Sequence, residues 1–181
     1  MRRIPSELVV IVVVVLVVFG GMALATQNKD TVQVPGGLAL SECKGYEDWP
    51  AVAVSQPEGK LDVIVANPTM IDSYRAGVPG NGKPFPDGSK IMKIQWNSKQ
   101  SAEAPEPTGV PDTLAGIGCM VKDSKRFPDA GGWGWAQFDY DPASDTFTPN
   151  TSLQENDAKC GFECHTIAEA KNYVFTEYGK R

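Results

Sequence analysis

The stretch Cys160-Gly161-Phe162-Glu163-Cys164-His165 constrains this chain more than any other part of its sequence. Covalent haem attachment usually takes the form Cys-x-x-Cys-His, in which two thiols add to the haem vinyl groups and the adjacent histidine ligates the iron. Here one extra residue separates the cysteines, so we expect the segment between them to bulge, with Gly161 supplying the flexibility. The motif predicts one covalent haem c held by Cys160 and Cys164, with His165 as the axial ligand.

Three other interpretations of the motif stay open from the sequence alone. The two cysteines could form a local disulfide, with His165 merely adjacent. They could instead join His165 in a zinc or copper site, although no nearby residue offers a fourth ligand at suitable spacing. The third interpretation is that the pattern arose by chance. The position of His165, the only histidine in the chain, directly after the second cysteine argues against it.

Because the chain has one histidine, the second axial position of a haem iron would be methionine, lysine, another weaker ligand, water or nothing. Electron-transfer cytochromes often close this position with methionine, and Met70, Met92 and Met120 are the candidates here. A methionine at strand or helix spacing is more often part of the core. An open iron that permits small-ligand chemistry is therefore the alternative.

The N-terminus has the order of a secretory signal. Arg2 and Arg3 precede an apolar run over residues 8–19, and the small-residue segment 23–25 follows. Residues 8–25 carry no charge, so an uncleaved membrane anchor is the alternative. Either way, we expect the folded part to lie outside the cytoplasm, in the periplasm or otherwise exported.

Composition bounds the remaining choices. The chain has 181 residues, 41% of them apolar, and a formal charge of −5, which indicates one domain and argues against nucleic acid or anionic lipid as partners. Cys43 and Cys119 have no metal-ligand pattern near them. In an oxidising compartment we expect them to form a structural disulfide, with two buried thiols as the alternative.

The patterning predicts an α+β fold, mainly antiparallel sheet with a few flanking helices around a single haem c domain. Residues 1–25 are the signal or anchor, 26–50 an extended lead-in, and 51–181 the haem domain. The predicted strands cover residues 61–66, 89–96, 116–122 and 133–140, and a helix follows the Asn67-Pro68 cap. Residues 100–111 are expected to form a loop. The tail from His165 is expected to be helical, with an apolar face spaced as Ile167, Ala170, Val174 and Tyr178.

Several stretches in order resemble the cytochrome P-460 family, which includes the cytochrome c-prime-beta proteins. They are residues 83–90 (Lys-Pro-Phe-Pro-Asp-Gly-Ser-Lys), 120–123 (Met-Val-Lys-Asp), 132–139 (Gly-Trp-Gly-Trp-Ala-Gln-Phe-Asp), the motif at 160–165, and 171–176. The resemblance implies a largely antiparallel sheet, a five-coordinate haem c and a homodimer. It also implies that members oxidising hydroxylamine carry a lysine cross-linked to the haem and a distal acid, whereas relatives without the cross-link bind nitric oxide or carbon monoxide.

The resemblance implies roles for individual residues. Lys93 is the candidate for the cross-linking lysine, with Lys90 second, and Asp139, with Asp141 behind it, is the candidate distal carboxylate. The pocket aromatics would be drawn from Trp133, Trp135, Phe138 and Phe85.

Four functions follow as hypotheses. The first is a haem oxidoreductase acting on a small nitrogen species such as hydroxylamine or nitric oxide, with a redox partner protein that removes electrons. The second is a gas-binding haem protein without catalysis. The third is a simple periplasmic electron carrier, and the fourth a disulfide-stabilised domain without cofactor.

Overall fold

The computed structural model describes residue 28, residues 31–150 and residues 160–180, without the side chain of Cys160. The expected signal or anchor, residues 1–25, lies outside this part of the chain. Across the described ranges no helix is both long enough and apolar enough to cross a membrane.

The part of the chain that the structure describes is built on one six-stranded antiparallel sheet, with its strands in chain order. Within the described ranges, two short α-helices accompany it: α1 (Pro68–Arg75) and α2 (Cys160–His165). This architecture confirms the α+β prediction. The strands are β1 (Ala51–Ser55), β2 (Lys60–Ala66), β3 (Lys90–Gln100), β4 (Gly109–Lys122), β5 (Trp133–Asp141) and β6 (Thr146–Pro149).

The sheet extends beyond the predicted strands at several points. Both edge strands, β1 and β6, were outside the prediction, and β4 begins at Gly109, inside the segment expected to be a loop. Pro111 is compatible with β4 because this end of the strand pairs only with β3, so its missing N–H interrupts no ladder toward β5. Helix α1 begins as predicted, and the Asn67 side chain accepts a hydrogen bond from Met70 N at 3.1 Å.

Alternation along the strands divides the sheet into two faces. On the back face, the buried side chains of Met92, Ile117 and Phe138 pack in the main core, to which the lead-in contributes the fully buried Leu38. The predicted disulfide between Cys43 and Cys119 is present and ties the lead-in to the back of β4. The described part of the lead-in is therefore folded into the domain.

Helix α2 and the chain after it cover the front face. A 3-10 helix (Thr166–Lys171) follows α2, and the chain then turns at Asn172 and Tyr173, which both have left-handed backbone angles (φ 53° and 65°). The expected helical tail is thus wrong beyond Lys171. Ile167 is 85% exposed whereas Val174 is buried, so their spacing marks no common helical face.

Candidate functional site

A cavity of about 400 Å³ lies between the front of the sheet and the cover formed by α2 and the C-terminal tail. Its size is within the range typical of cofactor and ligand pockets. The described lining is mostly apolar and comes from β1 to β5, α2 and the tail. It comprises Ser55, Ile64, Ile91, Lys93, Gly118, Cys119, Met120, Trp135, Ala136, Gln137, Gly161, Cys164, His165, Val174, Phe175 and Thr176.

Gly118 forms part of the cavity floor between two polar side chains. The register pairs Lys93 with Gly118 on one side and Gln137 with Gly118 on the other. A Cβ added at Gly118 would lie 2.8 Å from Gln137 Oε1 and 3.5 Å from Lys93 Cε. The bare glycine therefore lets these two side chains approach each other across β4.

The haem motif is helical, so the expected bulge between the two cysteines is absent. In α2, positions 160 and 164 are four residues apart and lie on the same side of the helix. Gly161 has a different role from the expected flexibility: a Cβ there would overlap the ring of Trp135. Glycine is required because the helix backbone rests directly on the indole.

His165 is half-buried at the cavity, and its hydrogen bonding selects a tautomer. Nδ1 lies 2.6 Å from the carbonyl oxygen of Tyr173. A carbonyl has no proton to give, so Nδ1 carries the proton and donates, which leaves the lone pair on Nε2. A metal-ligating histidine typically uses its second nitrogen in this way. The ring is held by Phe175 and Trp135, at centroid distances of 4.5 and 5.5 Å.

The surroundings of His165 favour neutral imidazole. Burial lowers its pKa, the hydrogen bond to Tyr173 opposes that effect, and the positive charge of Lys93 lowers the pKa further. Neutral imidazole is the form that binds metal.

The Asn172–Tyr173 turn delivers the carbonyl that orients His165. Asn172 Oδ1 accepts a hydrogen bond from Phe85 N at 2.9 Å, and its carbonyl accepts one from Trp133 Nε1 at 2.9 Å. These bonds hold a backbone conformation that is unfavourable for a residue such as Tyr173. Sequence reasoning missed both residues; the available signal was Asn172, since asparagine tolerates the left-handed region.

The two candidate lysines are on opposite faces of the sheet. Lys93 is half-buried in the cavity and makes no hydrogen bond or ion pair within the described part of the chain. Lys90 points to the back face, where its ammonium group donates to the carbonyl of Glu42. The structure therefore brings Lys93, and not Lys90, together with Cys164 and His165.

Neither candidate carboxylate is at the cavity. Asp139 is exposed and accepts a hydrogen bond from Asn150 Nδ2 at 2.8 Å, while Asp141 caps a turn through Ser144 and Ala143. None of the described lining residues is acidic. The carboxylate linked to the lining is that of Asp62, 3% exposed, which accepts from Ser55 Oγ at 3.3 Å and from Gln95 Nε2 at 2.9 Å.

Some of the candidate aromatic residues and methionines line the cavity, and the others lie elsewhere in the fold. Among the predicted aromatics, Trp135 lines the cavity, and Phe175 joins it from the tail. Phe85 and Trp133 pack together at 6.1 Å in the core, and Phe138 points to the back. The candidate methionines divide in the same way: Met120 lines the cavity, whereas Met70 and Met92 are fully buried elsewhere.

These features fit a haem. Cys164 is a free, exposed thiol beside the cavity, and the adjacent His165 presents a lone pair on Nε2. Trp135, whose ring contacts both Gly161 and His165, gives this side of the cavity an aromatic wall. The described residues contain no cluster of three histidine, cysteine or acidic side chains suited to a free metal ion, so nothing in that part of the chain completes a zinc or copper site.

The sheet, the cavity and the cysteine-histidine helix are compatible with a haem protein of the c-type cytochrome class. The family model described as Cytochrome P460 matches residues 43–176, most of the chain, and the chain belongs to that family. The match begins at Cys43, so it includes the end of the lead-in as well as the sheet and the motif. Comparison with curated proteins found no match.

Proposed function

We propose that this chain is an exported cytochrome with one haem c, whose open iron site binds and acts on small nitrogen species such as hydroxylamine or nitric oxide. The observation that carries the proposal is the arrangement of His165: Nδ1 is engaged by Tyr173, and the ring borders the cavity beside Cys164. Export rests on the N-terminal sequence alone.

Covalent attachment needs no oxidant. Each cysteine S–H would add across one haem vinyl group: the sulfur would gain a bond to one vinyl carbon, and the hydrogen would go to the other. Cys160 and Cys164 are the two thiols, and α2 presents their positions on one side. His165 Nε2 is the nitrogen that would ligate iron.

The haem, when bound, supplies the redox chemistry and the iron that takes the small ligand. The chain contributes a mostly apolar lining, through Ile64, Ile91, Met120 and Phe175 among others. Ser55 borders the cavity and donates to Asp62, which provides a route for a proton leaving a bound ligand. A separate redox protein would remove the electrons.

The family's lysine cross-link would involve Lys93, because Lys93 lies in the cavity. Such a bond would replace a ring C–H of the haem and an N–H of the lysine by one C–N bond, with the loss of two electrons and two protons. An oxidant of the peroxide class would have to take them. Without that bond the same cavity would serve reversible binding of nitric oxide or carbon monoxide.

A second candidate function is electron transfer, and Met120 supports it. Met120 lines the cavity, so its sulfur is the candidate for the sixth position of the iron. Replacement of Met120 by leucine separates the two functions: a low-spin spectrum that becomes high-spin indicates the electron carrier, and an unchanged high-spin spectrum indicates the open site.

The test is expression with a cytochrome c maturation system, followed by denaturation and by spectroscopy of the ferrous form. We expect haem that stays with the denatured polypeptide and a high-spin iron that takes up nitric oxide. The double variant Cys160→Ala/Cys164→Ala should lose covalent haem. The matched control, Cys43→Ala/Cys119→Ala, should retain it. Colourless protein, under conditions that mature a known cytochrome, would refute the proposal.

A further inference from the structure

Two left-handed backbone segments pack against each other at the base of the C-terminal tail. One is Gly131–Gly132, just before β5, with φ of 62° and 77°, and the other is Asn172–Tyr173, with φ of 53° and 65°. A Cβ at Gly131 would overlap the ring of Tyr173, so the bare glycine makes room for that ring. The other neighbour of the ring is Phe162 of α2, at a centroid distance of 5.4 Å. The Asn172–Tyr173 turn is therefore packed between the sheet and the helix that bears the haem motif.

Lys122, at the end of β4, holds the sheet side of this contact. Its side chain is buried, and Nζ donates to the carbonyl of Gly131 at 2.6 Å and lies 5.2 Å from the centroid of the Trp133 ring. A buried ammonium group is costly unless partners compensate it, and here a carbonyl oxygen and an aromatic face do so. Lys122 thus fixes the two groups against which the turn rests, the Gly131 backbone and the Trp133 indole.

Hydrogen bonds from distant parts of the chain then fix the turn itself. Trp133 Nε1 donates to the carbonyl of Asn172, and Phe85 N donates to Asn172 Oδ1, both at 2.9 Å. The next carbonyl along the chain, that of Tyr173, accepts from His165 Nδ1 at 2.6 Å. The position of the oxygen that engages His165 is therefore set by the core of the domain as well as by the tail.

We propose that the Asn172–Tyr173 turn sets the reduction potential of the haem, with Asn172 and Trp133 as positioning residues that act through His165; this inference rests on the proposed haem site. A hydrogen bond from the second ring nitrogen raises the basicity of a metal-ligating histidine. A more basic ligand stabilises ferric iron more than ferrous iron, because ferric iron carries the higher charge. Each bond that holds the Tyr173 carbonyl in place therefore lowers the reduction potential.

The effect depends on geometry because the acceptor is a neutral carbonyl. No carboxylate draws the Nδ1 proton of His165 by charge; its partner is the Tyr173 oxygen. Such a bond weakens steeply when its distance or angle is lost. Tyrosine rarely adopts a left-handed conformation, so the turn relaxes when its supporting bonds are removed.

The test is the midpoint potential of the holoprotein and of two variants without a change of net charge. Asn172→Gly keeps the left-handed conformation accessible and removes the Oδ1 acceptor. Trp133→Phe keeps an aromatic ring under Lys122 and removes the N–H donor. We expect each to raise the potential by about 59 mV, a tenfold loss of preference for ferric iron, at the lower end of what outer-shell partners contribute.

Asn67→Gly is the matched control. Asn67 Oδ1 also accepts backbone N–H groups, those of Met70 at 3.1 Å and Lys90 at 3.0 Å, but it does so at the start of α1. This variant should lower thermal stability and leave the potential in place. Haem-loaded Asn172→Gly and Trp133→Phe proteins with the wild-type potential would overturn the inference.

Asn172→Asp tests for rescue, because aspartate retains the Oδ1 acceptor for Phe85 N. Its added charge would itself alter the potential, so the readout is the iron–histidine stretching band in the resonance Raman spectrum of the ferrous protein. The band should move to lower frequency in Asn172→Gly and stay at the wild-type position in Asn172→Asp. A band that moves equally in both variants would exclude the Oδ1 bond as the cause.

A measurement on the wild-type protein covers variants that fail to take up haem. In the ¹³C,¹⁵N-labelled ferrous carbon monoxide form, which is diamagnetic, the Nδ1–H of His165 should exchange slowly with water. It should also show a scalar coupling to the carbonyl carbon of Tyr173. Rapid exchange without that coupling would overturn the inference, whereas absence of covalent haem from the wild-type protein would refute the proposed function.

Discussion

Gly161 rests on Trp135 so closely that any side chain at position 161 would overlap the indole ring. Gly161 lies between the two cysteines in sequence and is also the residue through which α2 contacts the sheet. Position 161 therefore belongs to the sequence motif and also makes a tertiary packing contact.

Replacement of Gly161 by alanine should displace α2 from Trp135. We expect a stability loss of about 1–3 kcal/mol, the usual cost of overpacking, together with a lower yield of covalent haem. Thermal unfolding and haem-stained denaturing gels would measure both effects. Gly179→Ala is the control, because a Cβ at Gly179 meets nothing within 4 Å. Equal haem yields from the two variants would contradict the packing role.

Replacement of His165 by alanine should leave the haem attached and remove its axial ligand. The denatured protein should retain haem through its cysteines, while the native ferrous spectrum should change to that of a poorly ligated iron. An unchanged native spectrum would show that another group ligates the iron.

Lys93→Met tests whether a lysine modifies the haem ring. We expect a strongly red-shifted Soret band in the wild-type protein and an ordinary high-spin band in Lys93→Met, because the amine is gone. Lys90→Met is the control: Lys90 bonds to the Glu42 carbonyl on the back of the sheet, so its loss should leave the band in place. A wild-type spectrum without the red shift would favour reversible gas binding and remove Lys93 from any cross-link.

The ion pair between Glu42 and Arg126 should make stability depend on pH in the acid range. Burial alone would raise the pKa of Glu42, but the hydrogen bond and charge of Arg126, together with the Ala39 N–H, bring it below its ordinary value of 4.5. A carboxyl group whose pKa is lowered by folding stabilises the fold at pH values above its ordinary pKa. Its contribution to the free energy of unfolding is lost as the pH falls through the lowered pKa.

Arg126→Gln should therefore cost about 0.5–1 kcal/mol near pH 7, since the pair is partly exposed. The difference from wild type should shrink as the pH falls below 4.5. Urea unfolding at several pH values would measure it. A difference that stayed constant down to full protonation of Glu42 would exclude the ion pair as its origin.

The Cys43–Cys119 disulfide closes a long loop, with 76 residues of sequence separation. The chain-entropy model gives about 4.5 kcal/mol for a loop of this length. We expect Cys43→Ala/Cys119→Ala to lose an amount of that order in denaturant unfolding while retaining covalent haem. A loss below about 1 kcal/mol would show that the lead-in is held by its apolar packing instead.

Sequence patterns predicted the central strands well because each carries a clear alternation or apolar run, as in β2 and β5. They missed β1 and β6, which are short edge strands with little pattern of their own. The prediction of a helical tail was wrong for a different reason. Hydrogen bonds from Phe85 and Trp133 hold the turn at Asn172, and these long-range contacts override the local apolar periodicity.

The site residues differ in the same way, since some depend on local sequence and others on contacts between distant segments. The cysteine-histidine motif is local, so the sequence could identify it, and strand alternation correctly put Lys93 opposite Met92. The distance of Asp139 from the cavity, the contact of Gly161 with Trp135 and the role of Asn172 depend on which strands and loops meet in space. No single segment encodes those relationships.

The two cysteine pairs also bear on how the protein is assembled in the cell. The proposed thioethers require reduced thiols at Cys160 and Cys164, whereas Cys43 and Cys119 are oxidised and at most 1% exposed. Cys164 is exposed and reduced. Once the fold has enclosed the first pair, a thiol reductase preparing the second pair for haem ligation would have no access to it. Burial would thus let the two pairs keep opposite redox states during the proposed haem attachment.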